Sequence, residues 1–483
     1  MTEPGRKQLL IGGEWRDAEG ATTMPVVNPA TEEVVAEVAS ASPADVDAAV
    51  AAARAAMDGA WGQMSGRDRG RLLWKLGERM LERIDEISRL ETLHNGKPIR
   101  ESRHVEVPMA IECLQYFAGW ADKLEGETIP VGARAHVYTR REPLGVVAAI
   151  VPWNFPLLLA MWKVAPALAA GNAVILKPAS QTPLTALALG EAAIEVGFPP
   201  GTLNVVTGSG STAGQAIVEH PGISKVAFTG DTSTGKGIMR TAAETLKQVT
   251  LELGGKSPNI VFADADLEAA VRGATVGIFY GKGEVCAAGS RLFVDRAVKD
   301  EFLDKLAARS KKMVAGDPMD PTTRLGAIAS KSQLERVLDY VQVAKSQGAT
   351  LLAGGERTDI GTGKGYFMQP TVFADVTPEM TIAREEIFGP VLATLEFGDV
   401  DDAIARANDS IYGLAAGIWT RDIAKAHYVA SKLQAGTVWI NTYNVYDVSV
   451  PFGGYKQSGF GREMGRLALD GYTQNKSVWV DLS

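Results

Sequence analysis

Three polar residues in unusual settings could do chemistry together. Cys286 lies in the run GKGEVCAAGS (281–290), flanked by Gly, Glu, Ala and Ser rather than by large apolar side chains. Glycines at 281, 283 and 289 let backbone approach a ligand closely. Glu252 precedes a Gly-Gly pair in LELGGKSP (251–258), and Asn154 sits between prolines and aromatics in VPWNFP (151–156). A thiol, a carboxylate and an amide are three parts that thiol-based acyl chemistry needs: a nucleophile, a base and an oxyanion donor. Each residue also has an ordinary reading. A free Cys is commonly a buried small hydrophobe, and Cys113 in AIECLQYFAGW fits that description. With a reference pKa of about 8.5, Cys286 would be only a few per cent thiolate at neutral pH and would need help, for which a helix starting at 285–288 is the expected source. Glu252 on a strand would ordinarily face solvent, but its apolar surroundings predict a raised pKa.

Positioning these groups requires a framework. From about 143 to 266, short apolar runs (GVVAAIV, NAVILKP, LNVVTG, KVAFTG, QVTLELG, NIVFADAD) alternate with Ala/Leu-rich stretches such as 182–197 and 235–247. Continuous apolar strands between amphipathic helices predict a parallel sheet covered on both faces, hence a doubly wound α/β fold. Ser42-Pro43 opens a helix, and one longer helix is expected over 69–93, ending at Asn95-Gly96. A second α/β segment, about 255–453, has helical patterns at 297–313, 330–347 and 400–408 and strands at 291–294, 371–376 and 436–441. Two β-prone pieces, 136–145 and 475–483, have no evident partner strand, which predicts sheet edges used between subunits; local pairing is the alternative.

Two turns could take a phosphate. Gly208, Gly210 and Gly214 resemble GxGxxG with the third Gly misplaced, so an ordinary βα turn is favoured there. The run 230–237 (GDTSTGKG) approaches a P-loop, but Gly237 replaces the hydroxyl that would bind magnesium, which disfavours an NTPase. Its amides at a helix start can still bind a pyrophosphate.

Bulk properties exclude other classes. The chain has 483 residues, enough for two or three domains, and 46% of them are hydrophobic. A net charge of −8 without a basic run argues against nucleic-acid binding. Two cysteines argue against a disulfide framework, and the N-terminus lacks a signal-peptide core, which together predict a cytoplasmic protein. The apolar stretch 145–176 contains Pro152, Pro156, Pro166, Asn154 and Lys163, so strand, motif, short helix and strand are expected instead of a membrane span. The five histidines show no ligand spacing, and no metal is expected.

Taken in order, PWNFP (152–156), LKPAS (176–180), FTGDTSTG (228–235), LELGGKSP (251–258), GEVCAAGSR (283–291), EEIFGP (385–390) and PFGGYKQSGFGRE (451–463) resemble the aldehyde dehydrogenase superfamily. The resemblance implies a Rossmann-like dinucleotide-binding domain (1–119 and 143–254), an α/β catalytic domain (255–454) and a small β oligomerisation element (120–142 and 464–483). It implies an NAD(P)-dependent enzyme acting through a Cys286 thioester, with Asn154 at the oxyanion and Glu252 activating water. Lys177 would hold the adenosine ribose, Gly230 and Gly235 would border the pyrophosphate, Glu386 and Phe388 would meet the nicotinamide ribose, and Trp153 and Gly254 would line the cleft. The substrate tunnel would be lined by Met109, Phe155, Trp162, Tyr280 and Tyr446, favouring medium aliphatic or aromatic aldehydes, with a cationic aminoaldehyde as alternative. A homodimer or homotetramer is implied. Relatives that pass the acyl group to coenzyme A usually lack the hydrolytic Glu, which is present here. Three departures stand out. Ser180 replaces a Glu found in many NAD-specific members, predicting use of NAD or NADP. Glu284 replaces a common Gln, and Gly281-Lys282 replace a frequent Asn-Gln pair.

Overall fold

The computed structural model describes residues 5–483. Five strands, Val146–Ile150 (β1), Ala173–Lys177 (β2), Leu203–Val205 (β3), Lys225–Thr229 (β4) and Gln248–Glu252 (β5), pair in parallel in the order β5-β4-β1-β2-β3. Antiparallel strands Leu9–Ile11 and Glu14–Arg16 extend one side, and Gly459–Phe460 closes the other, giving eight strands. β1, β2 and β4 are buried along their whole length because helices cover both faces. Helices Pro156–Ala169 (α1), Leu184–Glu195 (α2) and Thr232–Ala243 (α3) make the crossovers. All fourteen residues of α1 are buried, which explains its uniformly apolar sequence. Pro156 opens α1 where a missing N–H costs nothing, whereas Pro166 lies inside the helix instead of ending it.

A second sheet has seven strands. Pro258–Val261 (β6), Arg291–Asp295 (β7), Thr371–Ala374 (β8), Val391–Phe397 (β9), Ala415–Trp419 (β10) and Thr437–Ile440 (β11) are parallel in the order β8-β9-β7-β6-β10-β11. Thr350–Ala353 adds an antiparallel edge beside β8. The fold is therefore mixed α/β, with a Rossmann-like sheet and a second parallel sheet. Helix Leu267–Phe279 (α4) runs from β6 toward the segment that carries Cys286.

Three expectations need correction. The helix expected over 69–93 is two helices, Gly66–Glu82 and Ile84–Asn95. The break falls at Arg83 (φ −101°, ψ 14°), whose guanidinium bonds Glu191 of α2 at 2.7 Å as well as its neighbour Glu86. No helix begins at 285–288: Val285 to Ala288 is a single turn closed by Ala288 N–H to the Val285 carbonyl (3.0 Å). Gly289 N–H is held by the Gly277 carbonyl (2.9 Å) and β7 starts at Arg291, so too little chain remains for a helix. Finally, the two β-prone pieces are not orphans. Ala135–Pro143 and Thr473–Asp481 pair antiparallel with each other over nine residues, and Thr128–Ile129 completes a three-stranded sheet. No helix among the described residues is long and apolar enough to cross a membrane.

Candidate active site

The strand order creates the cleft. From β1 the chain moves to β2 and β3 on one side and returns to β4 and β5 on the other, so the segments after β1 and β4 diverge. Ligands in open α/β sheets bind at this switch point. Trp153 and Asn154 follow β1, Gly230 and Asp231 follow β4, and Glu252 to Gly254 end β5. With Pro152, Thr229, Cys286, Gln333, Arg336, Glu386 and Phe388 they line a cavity of about 180 Å³. The Trp153 and Phe388 rings meet edge to face, 5.2 Å between centroids. Phe388 takes a left-handed backbone (φ 61°), a strained conformation that is retained where its surroundings dictate it. Here Gln333 Nε2 donates to the Phe388 carbonyl at 2.7 Å. Glu386 Oε1 accepts the Gly255 N–H (2.9 Å), and a Cβ on Gly254 would lie 2.3 Å from Oε2, so any side chain there would displace this carboxylate.

A second cavity, about 240 Å³, meets the first at Cys286. It is mainly apolar and includes Met109, Phe155, Trp162, Tyr280 and Tyr446, with Phe155 and Tyr280 stacked at 6.3 Å. Its carboxylate, Glu106, is ion-paired to the buried Lys97 and accepts the Tyr280 hydroxyl at 3.2 Å. The thiol thus stands where a polar cleft and an apolar funnel join.

Asn154 Nδ2 donates to the Glu284 carbonyl (2.9 Å), and its Oδ1 has no partner among the described residues. Since the amide nitrogen carries two hydrogens, one remains for a ligand oxygen. Among the described residues neither oxygen of Glu252 has a hydrogen-bond partner, and the residue is only 5% exposed. Burial pushes its carboxyl well above the usual range, with Glu463 adding in the same direction and Lys163 opposing. Burial also raises the Cys286 thiol, to about 12, and the nearby Glu386 and Glu252 carboxylates add to this. An unpaired, elevated carboxyl beside an elevated thiol is an arrangement that functional sites produce and packed cores avoid.

Three residues implied by the resemblance lie outside the cleft lining. Gly235 packs α3 onto the end of β5: a Cβ there would lie 2.6 Å from Leu253 Cδ2. Lys177 ends β2, and its buried Nζ donates to the Pro178 carbonyl at 3.0 Å. Ser180 Oγ donates to the Gly208 carbonyl at 3.2 Å. Gln333 and Arg336 are cleft residues that the sequence did not disclose, because they project from a helix (Lys331–Ser346) whose pattern marks only its packing face.

These residues suit a dinucleotide. Lys177 has two donors left that could meet ligand hydroxyls, and burial lowers its pKa to about 8. The twelve-residue α3 points its N-terminus at the switch point, with Asp231 capping Ser233 and Thr234. Among the described residues no group of three His, Cys, Asp or Glu is placed to hold a metal.

The sequence model of the aldehyde dehydrogenase family matches residues 15–478. The human mitochondrial aldehyde dehydrogenase is 49% identical over 476 residues, covering 98% of this chain and 92% of that protein. A solved aldehyde dehydrogenase from Bacillus cereus in complex with NAD+ is 50% identical, with a TM-score of 0.97 over 99% of this chain and 97% of that one. An indole-3-acetaldehyde dehydrogenase complexed with NAD+ superposes equally well, with a TM-score of 0.97 at 44% identity over 99% of this chain and 97% of that one. A family model spanning nearly the whole chain, together with relatives of about half-identical sequence, leaves one assignment: the chain belongs to the aldehyde dehydrogenase family.

Proposed function

We propose that the protein oxidises an aldehyde to its carboxylic acid with NAD(P)+ through a covalent thioester on Cys286. The observation that carries this reading is the position of the thiol at the junction of two cavities, with an unpaired Glu252 carboxyl lining one of them. The aldehyde enters from the apolar funnel. Burial holds the proton on this thiol, so the proton must leave to solvent before attack, and the Glu252 carboxylate stays free for the later step. Sγ then bonds the carbonyl carbon, and the new oxyanion takes a hydrogen bond from Asn154 Nδ2 and one from the Cys286 backbone N–H. NAD(P)+, when bound, supplies the acceptor for the hydride lost as the thiohemiacetal becomes a thioester. Glu252 next removes a proton from water as the water oxygen attacks the thioester, and Cys286 leaves as thiolate.

Lys177 and Ser180 would face the adenosine ribose, and Glu386 and Phe388 the nicotinamide end, with Trp153, Gly230 and Gly254 between them. Gly235 would act by packing α3 close to the pyrophosphate region. Residues 1–119 and 143–254 would form the cofactor domain and 255–454 the catalytic domain. The sheet built from 120–142 and 464–483 would join subunits in a homodimer or homotetramer, consistent with the open edge of Thr473–Asp481. A cytoplasmic enzyme fits two unpaired cysteines.

The funnel favours neutral medium-chain aliphatic or aromatic aldehydes over cationic aminoaldehydes. Glu106 could attract an amine, but Lys97 already neutralises it. The expected result is a kcat/KM for neutral aromatic or aliphatic aldehydes at least about tenfold above that for aminoaldehydes of equal length, a difference of about 1.4 kcal/mol. The reverse order would reject this substrate class. The product is expected to be the free acid whether or not coenzyme A is present, because Glu252 makes water the acceptor. Acyl-coenzyme A as the main product would reject the hydrolytic reading.

Ser180 gives the cofactor prediction. A neutral side chain there does not repel a 2′-phosphate, so both NAD and NADP should support turnover. Ser180→Glu is expected to lower kcat/KM for NADP about tenfold or more while changing that for NAD little, since like charges a few ångströms apart cost about 1 kcal/mol or more. An enzyme inert with millimolar NADP before any substitution would defeat this inference.

A further inference from the structure

The chain that delivers Cys286 turns through three consecutive left-handed residues, Gly281 (φ 55°), Lys282 (φ 62°) and Gly283 (φ 73°). Two are glycines. Lys282 is not, and a side-chain-bearing residue is disfavoured there. Its ammonium is held on three sides, by the Asn95 carbonyl (2.9 Å), Asn95 Oδ1 (2.8 Å) and Glu284 Oε2 (2.8 Å). Glu284 Oε1 accepts the Ala329 N–H at 3.0 Å, and Glu101 Oε2 accepts the Gly281 N–H at 3.2 Å. Lys282 and Glu284 are each 1% exposed, so the pair is shielded from water and from salt.

The same contacts reach the oxyanion donor from both sides. Asn95 turns its Oδ1 to Lys282 and its Nδ2 to the Trp153 carbonyl, at 2.7 Å, one residue before Asn154. Lys97 Nζ holds the Asn154 carbonyl at 2.8 Å. The Asn154 amide in turn donates to the carbonyl of Glu284, two residues before the thiol. A closed circuit therefore runs from the nucleophile turn through Lys282 and Asn95 to the 152–156 loop, and back through Asn154 to Glu284.

We infer that the Lys282–Glu284 pair is a positioning element that fixes the Asn154 amide relative to the Cys286 sulfur, joining the nucleophile turn to the oxyanion loop through Asn95. This rests on the reading of Asn154 as an oxyanion donor. Neither Lys282 nor Glu284 lines either cavity, so the pair acts through Asn154.

A double-substitution cycle tests it. Asn154→Ala is expected to lower kcat about 100- to 1,000-fold. Lys282→Met is expected to lower kcat per active site about 10- to 100-fold, the range for a residue that orients a reacting group, with KM nearly unchanged. In the Asn154→Ala background the same Lys282 substitution should cost less than about threefold, because the amide it positions is gone. Active sites are counted by alkylation of Cys286. If the two losses multiply in full, if KM absorbs the effect, or if active sites are lost while kcat per site stays constant, the positioning role is wrong. If Asn154→Ala alone leaves kcat unchanged, it is the oxyanion reading that fails. Should Lys282→Met not fold, the paired change Lys282→Gln with Glu284→Gln leaves no lone buried charge and is carried through the same cycle with the same criteria.

Discussion

Cys286→Ser should oxidise aldehydes at least about 10⁴-fold more slowly than the parent chain, the scale of loss when a covalent nucleophile is removed from an otherwise intact site. The argument is specific to sulfur. A thiol at about 12 in this pocket already gives up its proton with difficulty, and a serine hydroxyl would do so far less readily. Any ester formed on serine would also be a poorer acyl donor than a thioester. Asn154, Glu252 and both cavities remain, so the loss should appear in kcat with substrate binding largely kept. Alkylation gives an independent check. Cys113 is fully buried with its Sγ 3.6 Å from the Met161 carbonyl and lines neither cavity, whereas Cys286 lines both. Iodoacetamide should therefore label the folded parent chain once, at Cys286, and the variant not at all. Oxidation continuing unabated in Cys286→Ser would end the thioester mechanism.

Why the site could be found in the sequence is a matter of local against distant causes. Cys286, Glu252 and Asn154 announce themselves by their neighbours: glycines that bring backbone close, or apolar runs around a carboxylate. Strands β1, β2 and β4 are legible because burial on both faces demands continuous apolar residues. What brings the three residues together is the order β5-β4-β1, and strand order depends on pairings between segments far apart in the chain. The same limit hid Gln333 and Arg336, which reach the cleft from a helix distant in sequence. It also hid the pairing of Ala135–Pro143 with Thr473–Asp481, more than three hundred residues apart. Lys282 and Glu284 stand out as departures from a familiar pattern, yet their direct pairing and the clamp on Asn95 depend on a turn and a helix end that only the fold brings together. The missing helix at 285–288 shows the converse: Gly289 is tied back to Gly277, and a tertiary contact overrode a plausible local start.

Glu252→Gln separates the two halves of the reaction. The amide is isosteric but cannot accept a proton from water, so deacylation should slow about 10²- to 10⁴-fold, the range for losing a general base. Thioester formation should suffer less, since Cys286 and Asn154 are untouched and the proton of a single thiol can leave to solvent once per turnover. The enzyme should then accumulate acylated. Intact-mass measurement after mixing with aldehyde and cofactor is expected to show one acyl adduct per chain, on Cys286. A proton balance accompanies this. Burial raises the Glu252 carboxyl well above its usual value, so the base form is lost as pH falls through that raised pKa, not through the ordinary carboxylate range. Steady-state kcat should therefore fall on the acid side at a pH well above 4.5, and this limb should vanish in Glu252→Gln. If the variant shows no adduct and its first turnover is slowed as much as its steady state, Glu252 serves the attack of the thiol and water is activated elsewhere. If it turns over at the parental rate, the unpaired carboxyl at the end of β5 has no part in the chemistry.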